Sequence, residues 1–246
     1  MANQVAHEAF NHLIGDLRST HGDNLAAVVL YGSAVTGEYV AARSDYNLLI
    51  ALRRITPEDL RQAQAPMREW QRLGHPLPIY FTVEELRDAA DVFPIEFHQM
   101  QLAHVVLHGE DPFATMHISD ANLRHQTEYE LRSKLIQLRR RYIPASTSVE
   151  KLSDLMRDSL SSFAALFGAA LLLFGQTPPV GKHDGVRAAT KFFRLDPEPF
   201  ERIFELRETG ARPASEAQAH ELFTAYLAQI EQVVEAVDEM RMEGNR

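Results

Sequence analysis

The first part of the chain alternates between helical and strand-like patterns of apolar residues. Over residues 3–19 the apolar side chains recur every three or four positions, and this period predicts an amphipathic helix with one buried face. Leu25–Tyr31 is an almost unbroken apolar run between a polar turn and a glycine, which predicts a buried strand. A second apolar run, Leu48–Leu52, ends the segment Asp45–Leu52, which is predicted to form a neighbouring strand.

Helix start signals follow these two strands. Thr56 precedes Pro57 and two acids, a pattern typical of a helix start, and Gly74 suits the end of that helix. Pro66 lies inside it, where we expect a kink or a break. Four further elements are predicted: a strand over Leu77–Phe81, a short helix capped by Thr82, a helix over Phe93–Met100 and a strand over Ala103–His108.

From about residue 115 onward the whole pattern is helical. The predicted helices are Asn122–Tyr142, one capped by Thr147 and running to Phe174, a short one ending near Phe193, one from Asp196 to about Gly210, and one from Ser215 to about Met240. Short connections between helices favour an antiparallel bundle. The sequence therefore predicts an α+β fold class, with a small mixed-sheet domain over residues 1–115 and an all-α helical bundle over residues 116–246.

The composition predicts a cytoplasmic protein without a membrane partner. The most apolar stretch, Phe163–Phe174, is shorter than the about 20 apolar residues that a membrane span needs, so it predicts a buried bundle helix. The first residues are amphipathic and include acids, unlike a signal peptide. The absence of cysteine excludes disulfides and thiolate catalysis, and it is compatible with a reducing cytosol.

The net charge narrows the class of ligand. At −9 it argues against long nucleic acid as the main partner, because phosphate-backbone binding requires a basic surface. A small nucleotide is compatible with this charge, because a metal ion can supply positive charge locally.

The candidate chemistry lies within residues 28–50. The strand that ends at Tyr31 runs into Gly32 and Ser33, a small-residue turn where a phosphate can approach the backbone. After a loop of eleven residues, Asp45 and Asn47 open the next strand. Side chains alternate across a strand, so both should face one side, about 7 Å apart. Two oxygen ligands beside a Gly-Ser turn indicate nucleotide chemistry.

This motif resembles that of the nucleotidyltransferase superfamily, which includes DNA polymerase beta and kanamycin nucleotidyltransferase. The helical second half is similar to the bundle that follows this fold in aminoglycoside nucleotidyltransferases. The resemblance implies phosphate contacts at Gly32 and Ser33, and catalytic metal ligands at Asp45 and Asn47 that hold Mg²⁺. It further implies transfer of a nucleoside monophosphate from a nucleoside triphosphate to a hydroxyl of a small molecule or protein.

Two of the family's three acidic positions are altered in this chain. Asn47 stands where the second acid belongs, and a neutral amide should weaken a Mg²⁺ site. The third acid should come from the strand Leu77–Phe81, which contains none. Glu84 and Glu85, just beyond it, are better explained as first-turn helix residues. Glu96 is a further candidate, against the alternative of a partly buried acid paired with an arginine.

Outside the motif, the sequence contains only weaker candidates. Lys182 lies in a Pro/Gly loop, and it could meet a phosphate because the second domain helps to form the substrate cleft in bundle-bearing nucleotidyltransferases. The alternative is a solvated loop lysine. His98, His104 and His108 have no recognised metal-ligand spacing and are interpreted as structural.

Three functions are compatible with these patterns. The first is Mg²⁺-dependent nucleotidyl transfer, which the spacing of the Gly-Ser turn and Asp45 favours. The second is a catalytically degenerate module that binds a nucleotide or a partner in a regulatory role, which the altered acids favour. The third is a protein-interaction scaffold.

Overall fold

The structure, a computed structural model, describes residues 2–35 and 46–240, without the side chains of residues 2–7 and of Ser33. Asp45 lies outside the described residues. The chain divides into two compact units, Met1–Ile118 and Ser119–Arg246. A small mixed sheet occupies the first unit and helices make up the second, which confirms the predicted α+β class.

The first unit combines helices with a four-stranded sheet. Its described elements are α1 (Ala2–His21), β1 (Leu25–Tyr31), β2 (Asn47–Leu52), α2 (Pro57–Gln62), α3 (Gln64–Arg72), β3 (Ile79–Thr82), α4 (Val83–Asp88), α5 (Pro94–Leu102) and β4 (His104–Gly109). The bounds of β1 are those that its unbroken apolar run predicts. The segment that begins at Phe93 is helical from Pro94, as expected.

The sheet has the strand order β3-β2-β1-β4. β1 pairs antiparallel with both β2 and β4, whereas β2 pairs parallel with β3. At the carboxyl end of β1, Tyr31 lies opposite Asn47 of β2 on one side and opposite His104 of β4 on the other. Sheet order and register therefore bring three polar side chains to one end of the sheet.

Helices cover both faces of the sheet. On one face, α1 and α3 pack through Leu17, Met67 and Trp70 against the even-numbered residues of β2, such as Ile50. On the other face, α4 and α5 pack through side chains such as Phe97 against the odd-numbered residues. Asn47 is odd-numbered and shares the second face, because side chains alternate along a strand.

The predicted helix after β2 is split, but the break lies at Ala63 rather than at Pro66. Pro66 is the third residue of α3, where its missing N–H leaves no intrahelical bond unmade. The predicted start of α2 is confirmed by a capping box, in which Thr56 Oγ1 accepts from the Asp59 N–H and the Asp59 carboxylate accepts from the Thr56 N–H.

The second unit is a helical bundle. Its described helices are α6 (Asp120–Ala145), α7 (Val149–Leu173), α8 (Lys182–Phe193), α9 (Glu198–Thr209) and α10 (Glu216–Glu239). α7 contacts each of the other four and is the core helix. Its cap is Ser148, whose hydroxyl accepts from the Lys151 N–H, and not Thr147 as the sequence suggested. Ser215 caps α10 as predicted.

Among the described helices, only α7 is long and apolar enough to cross a membrane. More than half of its most apolar window is buried inside the protein, by side chains of the surrounding helices. This burial is what a core helix of a soluble bundle shows, and it agrees with the interpretation of Phe163–Phe174 as a buried bundle segment.

Candidate functional site

The carboxyl end of β1 carries a row of polar side chains, here called the strand-end row: Asn47, Tyr31 and His104. Directly opposed residues of antiparallel strands present their side chains to the same face, with Cβ atoms about 5 Å apart. The row therefore runs across three strands on the face that α4 and α5 cover. Burial raises the pKa of the Tyr31 hydroxyl above its ordinary value.

The predicted turn lies directly against this row. Gly32 has φ +83°, and a Cβ at this position would lie 3.2 Å from Nδ2 of Asn47. The turn closes with a hydrogen bond of 2.9 Å from the Val35 N–H to the Gly32 carbonyl. Two of the predicted site residues, Gly32 and Asn47, are thus brought together, and only glycine fits the left-handed backbone beside the amide. The Ser33 side chain lies outside the described part of the chain, as Asp45 does.

His104 forms the far end of the row and is held in place from several sides. Its Nδ1 lies 2.8 Å from the Met100 carbonyl and its Nε2 lies 3.2 Å from the Asp111 carboxylate. The other oxygen of Asp111 accepts from the Phe113 N–H at 2.8 Å. No sequence pattern singles out His104 for this site, because only the pairing of β4 with β1 places it opposite Tyr31.

Comparison with known proteins agrees with this architecture. The structure matches the crystal structure of spectinomycin adenyltransferase AAD(9) from Enterococcus faecialis with ATP and spectinomycin, with a TM-score of 0.56. The match covers 92% of this chain and 98% of that chain, at 12% sequence identity. The chain has a nucleotidyltransferase fold. No protein-family model matches the sequence, and no curated protein matches it.

The nucleotidyltransferase fold followed by a helical bundle is the fold that the motif and the order of elements predicted. At 12% identity the likeness extends to the fold alone. The chemistry of the site therefore depends on the residues of this chain.

The residues that the structure describes do not bring together the three acids of a metal-dependent nucleotidyltransferase. The observed strand β3 begins at Ile79, and Leu77, at the start of the segment that was expected to carry the third acid, precedes it and is 56% exposed. Within the described ranges, no group of three or more His, Asp or Glu side chains could hold a metal ion. The described residues therefore do not form a site for a pair of ions shared by three acids.

An aromatic cluster supports the start of β2 from the opposite face. Tyr46 packs edge-on against Phe10 at 4.9 Å and against His75 at 4.8 Å between ring centroids. Trp70 lies 4.5 Å from the His75 ring, and its Nε1–H donates to the Pro76 carbonyl at 3.0 Å. This packing fixes the chain where it enters the sheet, one residue before Asn47.

The remaining candidate residues lie elsewhere in the two units. Glu96 is an exposed residue in the first turn of α5, on the sheet face that carries the strand-end row. Glu85 completes the capping box of α4 with Thr82, which agrees with its interpretation as a first-turn residue. Lys182 is the first residue of α8 and is exposed. Roles for Glu96 and Lys182 in the chemistry stay predictions.

Proposed function

We propose that this nucleotidyltransferase-like protein binds a nucleoside triphosphate where β1 and β2 meet. The observation that carries the proposal is the close approach of Asn47 to Gly32, which brings a polar side chain against the small-residue turn. Any side chain at position 32 would occupy the space where a phosphate is expected to approach. The fold likeness supports the same ligand class, since AAD(9) was solved with ATP.

Binding of the four common nucleoside triphosphates to the full chain tests this proposal. We expect at least one of ATP, GTP, CTP and UTP to bind with a measurable heat. Ser33→Ala should weaken this binding, because it removes a hydroxyl that can donate a hydrogen bond to a phosphate oxygen. Asn11→Ala, an exposed change on α1, is the matched control and should leave the affinity unchanged. If none of the four nucleotides binds, the proposal is wrong.

Nucleotidyl transfer is the activity that Gly32, Ser33 and Asp45 favour. In this reaction an acceptor hydroxyl oxygen forms a bond to the α-phosphorus, the bond to the leaving pyrophosphate breaks, and the hydroxyl proton passes to a base. Glu96 is the candidate base. Asp45 is the carboxylate that the motif retains, and a Mg²⁺ ion held there would neutralise charge on the leaving pyrophosphate.

Pyrophosphate release measures this activity directly. Spectinomycin, the ligand of AAD(9), is the first small-molecule acceptor to test. We expect release that requires both Mg²⁺ and acceptor, and that Asp45→Ala abolishes. Release that persists in Asp45→Ala would contradict the role of this residue.

Regulatory nucleotide binding without transfer is the second candidate. It is favoured by the amide at Asn47 and by the lack of an acid in the segment Leu77–Phe81. Nucleotide binding without pyrophosphate release, across a panel of small-molecule and protein acceptors, would select this candidate over transfer.

A further inference from the structure

We propose that the exposed face of α6 is the interface of a homodimer, in which the α6 helices of two copies of the chain pack antiparallel. The surface concerned, here called the α6 stripe, consists of Tyr129, Ile136 and Ile143. The dimer goes beyond the proposed nucleotide binding and does not depend on it.

The α6 stripe is an apolar surface on the side of the helix away from the bundle core. Its three side chains are between 56% and 72% exposed. They recur every seven residues, which is almost two full turns, so they lie along one line of the helix. Leu131 and Leu138 are buried on the opposite side of α6. A seven-residue repeat of apolar side chains is typical of helices that pack lengthwise against each other.

The spacing makes the α6 stripe complementary to itself. When two copies of α6 run antiparallel about a two-fold axis at Ile136, this residue meets its own counterpart. Tyr129 then meets Ile143 of the other copy, because both lie seven residues from the axis. Such a symmetric interface buries all three side chains of each copy, and two-fold dimers are the commonest soluble oligomers.

Two charges beside the stripe favour the antiparallel orientation. Arg140 lies in line between Ile136 and Ile143, and Glu130 lies on the same side of the stripe; neither forms an ion pair within the described part of the chain. In one copy they are ten residues apart, about 15 Å along the helix. In the antiparallel dimer, Arg140 and Glu130 of the other copy differ by only two residues in level, about 3 Å. A parallel dimer would instead place Arg140 against its own counterpart.

The other flank of the stripe carries no net repulsion. Arg132 and Arg139 approach each other there across the dimer, but α10 neutralises both within each copy. Arg132 is paired with Asp238 at 2.5 Å, and Arg139 is paired with Glu231 at 2.6 Å. The four groups of each copy therefore do not oppose association.

The size of the surface sets the expected affinity. The 26 residues of α6 span about 39 Å, and the stripe covers about 21 Å of this length. A contact through one pair of helices lies at the low end of specific interfaces, which bury about 1,000 Å² or more, so we expect a dissociation constant of about 10–100 µM. Unfolding measurements at about 1 µM then follow the monomer.

Analytical ultracentrifugation of the full chain, from about 1 to 500 µM at physiological ionic strength, tests the proposal. The average mass of the wild type should rise from that of one chain, 27.8 kDa, toward twice this value. Ile136→Glu brings two carboxylates together at the axis and should weaken the dimer at least about tenfold. Val180→Glu, at an exposed position of the second unit outside α6, is the matched control and should dimerise as the wild type.

Charge reversal tests the orientation. Glu130→Arg or Arg140→Glu alone turns two attractive contacts of the dimer into two repulsive ones and should weaken it about tenfold. The two substitutions together should restore the affinity to within about threefold of the wild type. Both residue types favour helix, and circular dichroism verifies that each variant is folded.

Three results would overturn the proposal. The first is a wild-type chain that stays monomeric up to about 500 µM; a loss of stability in Ile136→Glu would then show that the stripe packs within its own chain. The second is a dimer that Ile136→Glu leaves intact, which forms through another face. The third is a double charge reversal that does not regain affinity. No nucleotide takes part in these measurements, so they leave the proposed function untouched.

Discussion

The side chain of Asn47 packs against the backbone of Gly32, which has φ +83°. A Cβ at position 32 would lie 3.2 Å from the amide nitrogen of Asn47. A residue other than glycine would also have to adopt a left-handed backbone conformation, which costs about 1–2 kcal/mol. We therefore expect Gly32→Ala to lower the free energy of unfolding by about this amount and to weaken nucleotide binding, both measurable by urea titration and calorimetry.

Gly15 provides the control for that variant. It lies within α1 without a positive φ, and no neighbouring atom lies within 4 Å of the point where alanine would place its methyl group. Gly15→Ala should raise the stability by up to about 1 kcal/mol, because alanine loses less backbone entropy in a helix. A Gly32→Ala variant as stable as the wild type would contradict the left-handed turn.

A buried histidine should make the first unit sensitive to acid. His21 is only 7% exposed, and both of its ring nitrogens lack a hydrogen-bond partner within the described ranges. Burial lowers its pKa from 6.5, and the charge of Asp59 opposes this only in part. Tyr80, whose ring lies close to the His21 ring, has a buried hydroxyl that adds no charge. Arg54, in the loop after β2, interacts electrostatically with Asp59.

The sign of the pH effect follows from this depressed pKa. The unfolded chain binds a proton at His21 near pH 6.5 and the folded chain only at lower pH, so the free energy of unfolding falls as the pH drops below about 6.5. His21→Phe should reduce this slope in urea titrations between about pH 7.5 and 5. His117→Phe, at an exposed position, should retain it. Equal slopes in all three proteins would exclude His21 as the cause.

Two buried threonines of the bundle differ in their hydrogen bonding. Thr127 is fully buried, and its hydroxyl has no partner among the described residues, whereas Thr190 donates to the Arg187 carbonyl at 2.8 Å. Thr127→Val should therefore stabilise the protein by about 1 kcal/mol, because it removes an unsatisfied polar group. Thr190→Val should destabilise it by about the same amount. Thermal unfolding monitored by circular dichroism compares the stabilities of the two variants. Stability changes opposite in sign to those expected would refute the assigned hydrogen bonding of the two threonines.

The core helix of the bundle should be intolerant of truncation. Phe167 is fully buried in α7, with the Phe200 ring edge-on at 5.6 Å. Phe167→Ala should cost about 3–5 kcal/mol, through lost burial and a cavity. Ile143→Ala, at a 72% exposed position of α6, should change stability by less than about 0.5 kcal/mol. Similar losses for both in urea titrations would show that α7 is not the core.

The sequence predicted well those elements whose positions depend on local signals. The unbroken apolar run of β1 and the capping boxes that start α2 and α4 depend on neighbours within a few residues, so their positions could be predicted. The break near Pro66 was misplaced, because proline is tolerated in the first turn of a new helix and the split falls three residues earlier.

The candidate site was predictable only in part. Gly32 and Asn47 belong to one motif, and the structure brings them together. Tyr31 joins them through the antiparallel pairing of β1 with β2, and His104 lies opposite Tyr31 through the antiparallel pairing of β1 with β4. Such pairings depend on the packing of the whole unit and leave no periodic trace in the sequence. The roles of Ser33, Asp45, Glu96 and Lys182 stay predictions.

The aromatic cluster beneath the start of β2 also has a spectroscopic consequence. Trp70 is the only tryptophan of the chain, and it is 2% exposed in the first unit, beside Tyr46 and His75. Its fluorescence emission, excited selectively at the red edge of protein absorption, therefore reports on the mixed-sheet unit, because the helical bundle contains no tryptophan. Trp70 is thus an intrinsic fluorescence probe close to the start of β2, and changes in its emission during a titration report on the first unit.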